Sequence, residues 1–521
     1  MFHILITSLL FLGSAQAWTE RVTVVTKSGR IVGFKNDGYN TFFGVPYAQV
    51  NENNPFGSNL PQNYFRKPFI ANDDSIICPQ VVSKRGGTLQ CLTLNIYVPQ
   101  TANLHRRVPI LVWFYGGGFV FGSAGDYGGQ HLVKRDIIVI TVNYRLGPYG
   151  FLCLNDESIP GNQGLKDQIT ALRWIKMNIK NFYGDPNKVT IAGESYGGGA
   201  VDLHLYSRYE TLFDKAIIQS GSLHTPGFYG NRDYEAPIKL SAHLGHKVTT
   251  NTEALQHLAK QNPISVMAAA RNLSMRLTPC KEMRFRGTHH FVTKCINHLS
   301  NPDRIKRVKI MIGFNSKEDF GTYVNQQKDF YDKLGDIFYR NLKNNFVLRN
   351  CELDRLSEIV KTFYLGSKNI GVESMLELSD YSSDFKLNYA VEKSVSKYME
   401  QGGKVYKYMF SYIGGSSYQN VTGAGAIHRE ELKYLFKTTA VLSSDEQRIM
   451  RERMTTLWAN FVKFGNPTPQ NTTRLPVIWE PVTEYSRPYM DINVNMTMKD
   501  HAYRERMAFW ELFMQKYAMK R

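Results

Sequence analysis

The chain has 521 residues, 43% hydrophobic and 13% aromatic, enough to bury a substantial core as one large unit. Its formal charge is +18, yet no dense basic run with interleaved aromatics occurs, which argues against nucleic acid as a partner. The excess of cations fits at most a weak attraction to anionic surfaces.

Residues Met1 to Ala17 carry an apolar centre, Ile4 to Leu12, and a small-residue exit at Ala15-Gln16-Ala17. That is the shape of a secretory signal, although its start offers His3 and no Lys or Arg. No later stretch is long and apolar enough to span a bilayer, so the mature chain, 18–521, is expected to be exported without a transmembrane anchor. Sequons at Asn272, Asn420, Asn471 and Asn495 agree with export. Six cysteines in an exported chain imply disulfides. Cys78 with Cys91 and Cys280 with Cys295 are the natural local pairs, which leaves Cys153 and Cys351 free or undecided.

From Arg21 to Gly33 strand-like alternation is broken by a Ser-Gly turn, and a second strand covers Thr41 to Ala48. Gln49 to Arg66 is rich in Asn and Pro and reads as surface loop. Leu92 to Val98 returns to strand, and Val108 to Tyr115 is a nearly continuous apolar run suited to a strand buried on both faces. That run ends in Gly116-Gly117-Gly118, where bare N–H groups can approach a substrate carbonyl. Asp136 to Arg145 is a further strand, and Gly164 to Lys180 has helical spacing. The loop Tyr183 to Pro186 leads into a strand that ends at Ser195. Beyond it, Lys215 to Gly221, Arg307 to Phe314 and Val405 to Tyr412 read as strands. The intervening regions 233–275 and 326–399 read as helical. The tail carries an amphipathic helix near Glu446 to Phe464 and another that ends at Trp510. Alternating strands and helices predict an α/β fold with a large, mostly parallel central sheet flanked by helices. No Pro/Gly/Ser linker divides the chain.

Gly193-Glu194-Ser195-Tyr196-Gly197 follows a β-branched run and precedes small residues, the pattern of a strand, a tight turn and a helix. A serine on such a corner stands clear of the sheet, and the next N–H can face a developing oxyanion. The motif alone also fits a plain turn. What carries the catalytic reading is the order of the partners, since in such sheets the acid and the histidine follow the serine on loops after later strands. Glu318 or Asp319 follows one strand. Only His428 and His501 lie beyond them, and His428 follows the next strand through Gly423-Ala424-Gly425-Ala426. Ser195 would attack, His428 would move the proton, and the carboxylate would orient the imidazole.

Further motifs accompany these residues: Phe43 to Ala48, Cys91 to Tyr97, Tyr115 to Phe119, Asn143-Tyr144-Arg145, Gly161 to Gln168, Gly184-Asp185-Pro186, Gln219 to Ser222 and Trp458 to Phe461. With them the chain resembles the type-B carboxylesterase/cholinesterase family of α/β-hydrolases over nearly all its mature length. The resemblance implies Ser195 as nucleophile, Glu318 rather than Asp319 as the acid, and His428 as the base. It also implies an oxyanion hole from the N–H groups of Gly117, Gly118 and Tyr196, a small-molecule carboxylic ester as substrate, and no metal or organic cofactor.

Several residues depart from that family. Tyr196 is bulky where a small residue is usual, and Leu89-Gln90 stands where an acidic pair is usual. The Cys78–Cys91 loop is short and lacks tryptophan, which argues against choline esters. His246 and His257 stand where many relatives have a second cysteine pair, and they read as surface residues rather than metal ligands. The competing expectation is an exported adhesion or binding protein on the same scaffold, with an intact triad as the feature that speaks against it.

Overall fold

The computed structural model describes residues 20–82, 86–154, 156–230 and 233–517. The proposed signal, 1–17, lies outside them. Strands β1 (Arg21–Thr26), β2 (Gly29–Asn36) and β3 (Tyr39–Pro46) are followed by β4 (Thr93–Pro99), β5 (Val108–Phe114), β6 (Ile138–Val142) and β7 (Gly184–Glu194). Then come β8 (Lys215–Gln219), β9 (Lys309–Asn315), β10 (Lys404–Phe410), β11 (Pro488–Ile492) and β12 (Thr497–Asp500). They join a 13-stranded sheet in the order β1-β2-β3-β4-β6-β5-β7-β8-β9-β10-β11-β12, with the short strand Phe69–Ile70 beside β2. Pairing is parallel from β6 through β11 and antiparallel at both ends. The parallel centre is covered on both faces. Ile110 to Phe114 and Val189 to Ala192 are accordingly buried without the alternation of a half-exposed strand.

Helix α1 (Gln163–Asn178) buries Leu165, Ile169, Leu172 and Ile175 at helical spacing. Helix α2 (Tyr196–Tyr206) starts directly at the end of β7. The region after β9 is helical and includes α3 (Met375–Ser383), the π-helical stretch Asp384–Asn388 and α4 (Tyr389–Glu400). With α6 (Arg504–Tyr517), which follows α5 (Asp445–Phe464), part of this region encloses a second, smaller apolar cluster around Phe338, Leu356, Tyr381 and Trp510. Tyr503 packs against both this cluster and the main one.

Three expectations are corrected. The first concerns the cysteines. Cys78 pairs with Cys91 as expected, but Cys280 pairs with Cys153 across 127 residues, and Cys295 is free together with Cys351. The cause lies at Gly161 and Asn162. Asn162 grips Cys280 from both sides, its Oδ1 accepting from the Cys280 N–H at 2.9 Å and its Nδ2 donating to the Cys280 carbonyl at 2.9 Å. Gly161 has φ +110°, and a β-carbon there would lie 2.7 Å and 2.8 Å from the two sulfurs, so the missing side chain is the space the bridge occupies. Second, β7 begins at Gly184 and shifts register between Gly184 and Val189, so the loop expected before the serine strand is its irregular first part. Third, β11 and β12 extend the sheet beyond the expected strands, and His501 follows β12 in a turn with φ +50°.

Candidate active site

The serine corner is built from backbone approaching backbone. β7 delivers Ser195 at φ +57°, ψ −128°, a conformation that non-glycine residues rarely adopt, and α2 begins at the next residue. The Ser195 N–H donates to the Gln219 carbonyl on β8 at 2.9 Å, and its carbonyl accepts from Gly199 at 3.0 Å. A β-carbon on Gly221 would overlap the Ser195 carbonyl oxygen, and one on Gly116 would lie 2.8 Å from the Ser195 Cβ. The strand ends on either side of the serine therefore close on it because they carry no side chains.

The glycine loop after β5 lies against this corner. Gly117 has φ +105°, and its carbonyl accepts from the N–H groups of Val120 and Phe121 at 3.0 and 3.2 Å. The N–H groups of Gly117, Gly118 and Tyr196 have no acceptor among the described residues. Gln80 fixes the far end of the loop: its Oε1 accepts from the Gly122 N–H and its Nε2 donates to the Gly122 carbonyl, both at 3.0 Å. The Tyr196 ring, the bulky departure, packs edge-on between Phe119 and Phe228 at 5.2 and 5.4 Å. Its room comes from this aromatic cluster, and its backbone stays at the helix start.

The acid and the histidine arrive on loops that are hydrogen-bonded to each other. Glu318 follows β9, and its Oε1 accepts from the Asn315 N–H at 2.7 Å. Its Oε2 lies 2.7 Å from His428 Nδ1, while the His428 N–H donates to the Glu318 carbonyl at 3.0 Å. Glu318 is thus the acid that meets the imidazole. Asp319 turns away to Lys386 at 2.7 Å and to Ser382 on α3. Neighbouring side chains diverge, as expected. His501 pairs with Asp500 at 2.8 Å.

Two further buried carboxylates, Glu194 and Glu431, belong to this cluster. Glu194, fully buried and next to Ser195 in the chain, places Oε1 3.0 Å from Nε2, the ring nitrogen that Glu318 does not hold. Burial opposes the charged imidazolium, but Glu194 and Glu318 outweigh it and hold the His428 pKa well above its usual value. Glu431 lies behind, its Oε2 accepting from Asn315 Nδ2 at 2.7 Å and its Oε1 from Gln219 Nε2 at 2.8 Å. Gln219 Oε1 in turn accepts from the Trp458 indole at 2.9 Å. Burial, then the neighbouring Glu194, push the Glu431 carboxyl up to about 7.

No group of three or more His, Cys, Asp or Glu side chains is arranged to hold a metal among the described residues. The rings of His246 and His257 lie 4.4 Å apart at a tilt of 37°, with His257 bonded to Ser241 and Gln261. Gln90, in place of an acidic residue, brackets Val50 through both its backbone groups and reaches Glu52. No described helix is long and apolar enough to cross a membrane.

The profile of the Carboxylesterase family matches residues 20–510. The chain is similar to Esterase FE4 of Myzus persicae, at 30% identity over 92% of this chain and 91% of that protein. It is also similar to juvenile hormone esterase of Heliothis virescens, at 32% identity over 91% and 92%. Among solved structures, juvenile hormone esterase from Manduca sexta, with OTFP covalently attached, superimposes with a TM-score of 0.83 at 28% identity, covering 95% of this chain and all of that one. The chain belongs to the carboxylesterase family. It has the α/β-hydrolase fold and is a serine hydrolase of carboxylesterase type.

Two site residues of this carboxylesterase escaped sequence reasoning. Glu194 and Glu431 each lie inside a motif read for its neighbours, and nothing in their spacing shows that both carboxylates turn inward behind the histidine. Gln80 left no signal at all, because its contact to Gly122 depends on how the Cys78–Cys91 loop folds.

Proposed function

We propose that this chain is a secreted carboxylic-ester hydrolase in which Ser195, His428 and Glu318 act in sequence. The Ser195 hydroxyl adds to the ester carbonyl carbon as His428 takes its proton. The oxyanion that forms is held by the N–H groups of Gly117, Gly118 and Tyr196, each without an acceptor among the described residues. Collapse breaks the bond to the alcohol, which departs with the proton from His428, and the acyl group stays on Ser195 Oγ. A water, deprotonated by His428, then adds to the acyl-enzyme; the Ser195 Oγ–acyl bond breaks, Oγ regains the proton from His428, and the carboxylic acid is released. Glu318 selects the tautomer with Nδ1–H directed at its carboxylate and stabilises the imidazolium.

The observation that carries this reading is the 2.7 Å contact of Glu318 with His428 Nδ1, with the other ring nitrogen, Nε2, 3.0 Å from Glu194, the residue before Ser195. The step needs no metal or organic cofactor. Export is supported by the 1–17 leader and by two disulfides, which persist in oxidising compartments. The side chains of Asn272, Asn420, Asn471 and Asn495 are exposed, as glycan acceptors must be. The region from 18 to 521 is read as one catalytic unit.

The test is hydrolysis of a short-chain chromogenic ester by the secreted protein and by Ser195→Ala. The substitution is expected to lower kcat/KM on the order of ten-thousand-fold. A parent without activity, or a variant with parental activity, rejects the assignment and leaves the binding-protein alternative.

A further inference from the structure

Glu194 has neighbours that the proton transfers above do not explain. Its side chain is fully buried, and Oε2 has no hydrogen-bond donor among the described residues. The cation within 4 Å of that oxygen is Arg429, with Nε at 3.9 Å, while Oε1 lies 3.0 Å from His428 Nε2. One buried carboxylate thus stands between the imidazole and the permanent cation that follows it in the chain.

The backbone is strained where this cation is placed. Arg429 has φ +72°, in the left-handed region that long side chains rarely adopt and glycine takes freely. The His428 N–H donates to the Glu318 carbonyl at 3.0 Å and the Leu432 N–H to the Arg429 carbonyl at 3.2 Å, which hold the turn on either side. The far end of the side chain is anchored as well, since Nη2 donates to the Tyr127 hydroxyl at 3.2 Å. Tyr127 is buried and packs against Trp113 and Phe436, both at 5.4 Å. With 47% of its side chain exposed, Arg429 keeps part of its hydration, so the pairing avoids burying the guanidinium outright. A backbone outlier held at both ends points to a role for the side chain rather than for the turn.

The groups facing His428 and Arg429 come from several elements. Glu194 ends β7, Glu318 follows β9, and Glu431 lies three residues after His428. Asp126 and Tyr127 follow the glycine loop after β5 and act on Arg429. Burial holds the phenols of Tyr127, Tyr144 after β6 and Tyr408 on β10 protonated well beyond neutral pH. Glu431, pushed up to about 7 by burial and Glu194, titrates beside the histidine.

We infer that Arg429 is a positioning residue for the base: it shares the Glu194 carboxylate with His428 and so limits how firmly that carboxylate holds a proton on the imidazole. The inference takes its catalytic meaning from the proposed triad, but the ionic coupling it describes does not depend on turnover. Glu194 favours the imidazolium, which helps after the Ser195 proton has moved and hinders before, when the ring must be neutral. A second cation on the other oxygen draws the carboxylate away from the ring and weakens that hold. Direct repulsion between the two cations would act with or without Glu194, and a double-mutant cycle separates the two effects.

The test reads the ring titration of His428 by NMR on protein with isotope-labelled histidine, the signal being assigned by its loss in His428→Gln. The pH profile of kcat/KM on a neutral short-chain chromogenic ester is read alongside. In Arg429→Gln the titration and the acid limb should both move up by about half a pH unit, opposite in sign to Glu194→Gln. Glu431 would move in the same sense, so the ring signal, which belongs to His428 alone, decides. Arg429→Gly, which suits the left-handed backbone, should give the same shift, and Arg429→Lys should restore most of the parent value. Starting from Glu194→Gln, the change Arg429→Gln should move the titration by less than half as much. No upward shift, or an equal shift with and without Glu194, overturns the inference and leaves the esterase reading intact. A lower melting temperature and a uniformly lower kcat/KM with an unmoved titration overturn it too, since a purely structural side chain gives that result. The expected titration shifts in a protein without turnover would uphold the coupling and sink the triad instead.

Discussion

The serine corner and the helical region after β9 solve the same problem, holding a side chain in place, by opposite means. At the corner nearly every contact is backbone: Gly116, Gly197 and Gly221 bring carbonyls and amides of β5, β7 and β8 against one another, leaving no room for a methyl group. In the helical region the contacts are side chains. Trp510 packs among Tyr381, Phe385 and Phe513 and donates to the Tyr364 hydroxyl at 2.8 Å, and Arg506 pairs with Asp380 at 2.7 Å and Asp384 at 3.0 Å. The two regions meet at Asp319, beside the proposed acid, which is tied to Lys386 and to Ser382 and accepts no contact from the histidine. A scaffold made of bare backbone is rigid but intolerant of added atoms. One made of side chains can lose an atom group and sag.

The largest effect should come from adding one carbon to the corner. In Gly221→Ala the new β-carbon meets the Ser195 carbonyl oxygen, a backbone atom that cannot rotate away. A loss of stability above about 4 kcal/mol is expected, with esterase activity lost in whatever folds. A thermal melt of this variant near the parent value would show that the corner yields, and that its closeness is not what fixes Ser195. The counterpart in the helical region is Trp510→Ala. Removing a fully buried indole should cost about 3 to 5 kcal/mol. Since Asp319 and Tyr503 tie the smaller cluster to the sheet, that variant should melt in a single, lowered transition. Two separated transitions would show that the helical region unfolds on its own and that the tie at Asp319 is weak.

The same contrast explains what could be read from the sequence. Backbone-built regions announce themselves, because Gly-rich turns after β-branched runs have few other uses. Ser195, Gly117 and the strands β5, β7, β8 and β9 were legible for that reason. So was His428, through its order in the chain. Side-chain networks gave no such sign. Glu194 and Glu431 are ordinary letters until the end of β7 and the loop after β10 bring them into one buried cluster. Cys280 illustrates the same limit: proximity in sequence favoured Cys295, while Asn162 and Gly161, 118 and 119 residues earlier, drew it to Cys153. Strands β11 and β12 were missed because they are short and pair only with the edge of a sheet that must already exist.

The smallest and most diagnostic change is Glu194→Gln, which removes a charge from the corner without changing its shape. In the proposed mechanism only neutral His428 can take the proton of Ser195, so activity should rise with pH through the His428 pKa, which lies above its usual value in the parent. Without the Glu194 carboxylate the imidazolium keeps Glu318 alone, and the acid limb of kcat/KM should move down by about one pH unit. Stability must follow the same sign. A histidine whose folded pKa is raised contributes stability that is complete below its unfolded pKa and lost as pH rises through the folded value. The variant should therefore be weakened relative to the parent in mild acid and draw level in alkali. Glu431 works in the same direction at the alkaline end, since loss of its charged neighbour lets a carboxyl now pushed up to about 7 ionise more easily. An acid limb that stays in place while stability shifts as expected would mean that Glu194 supports the folded corner but does not bias the group that titrates in catalysis.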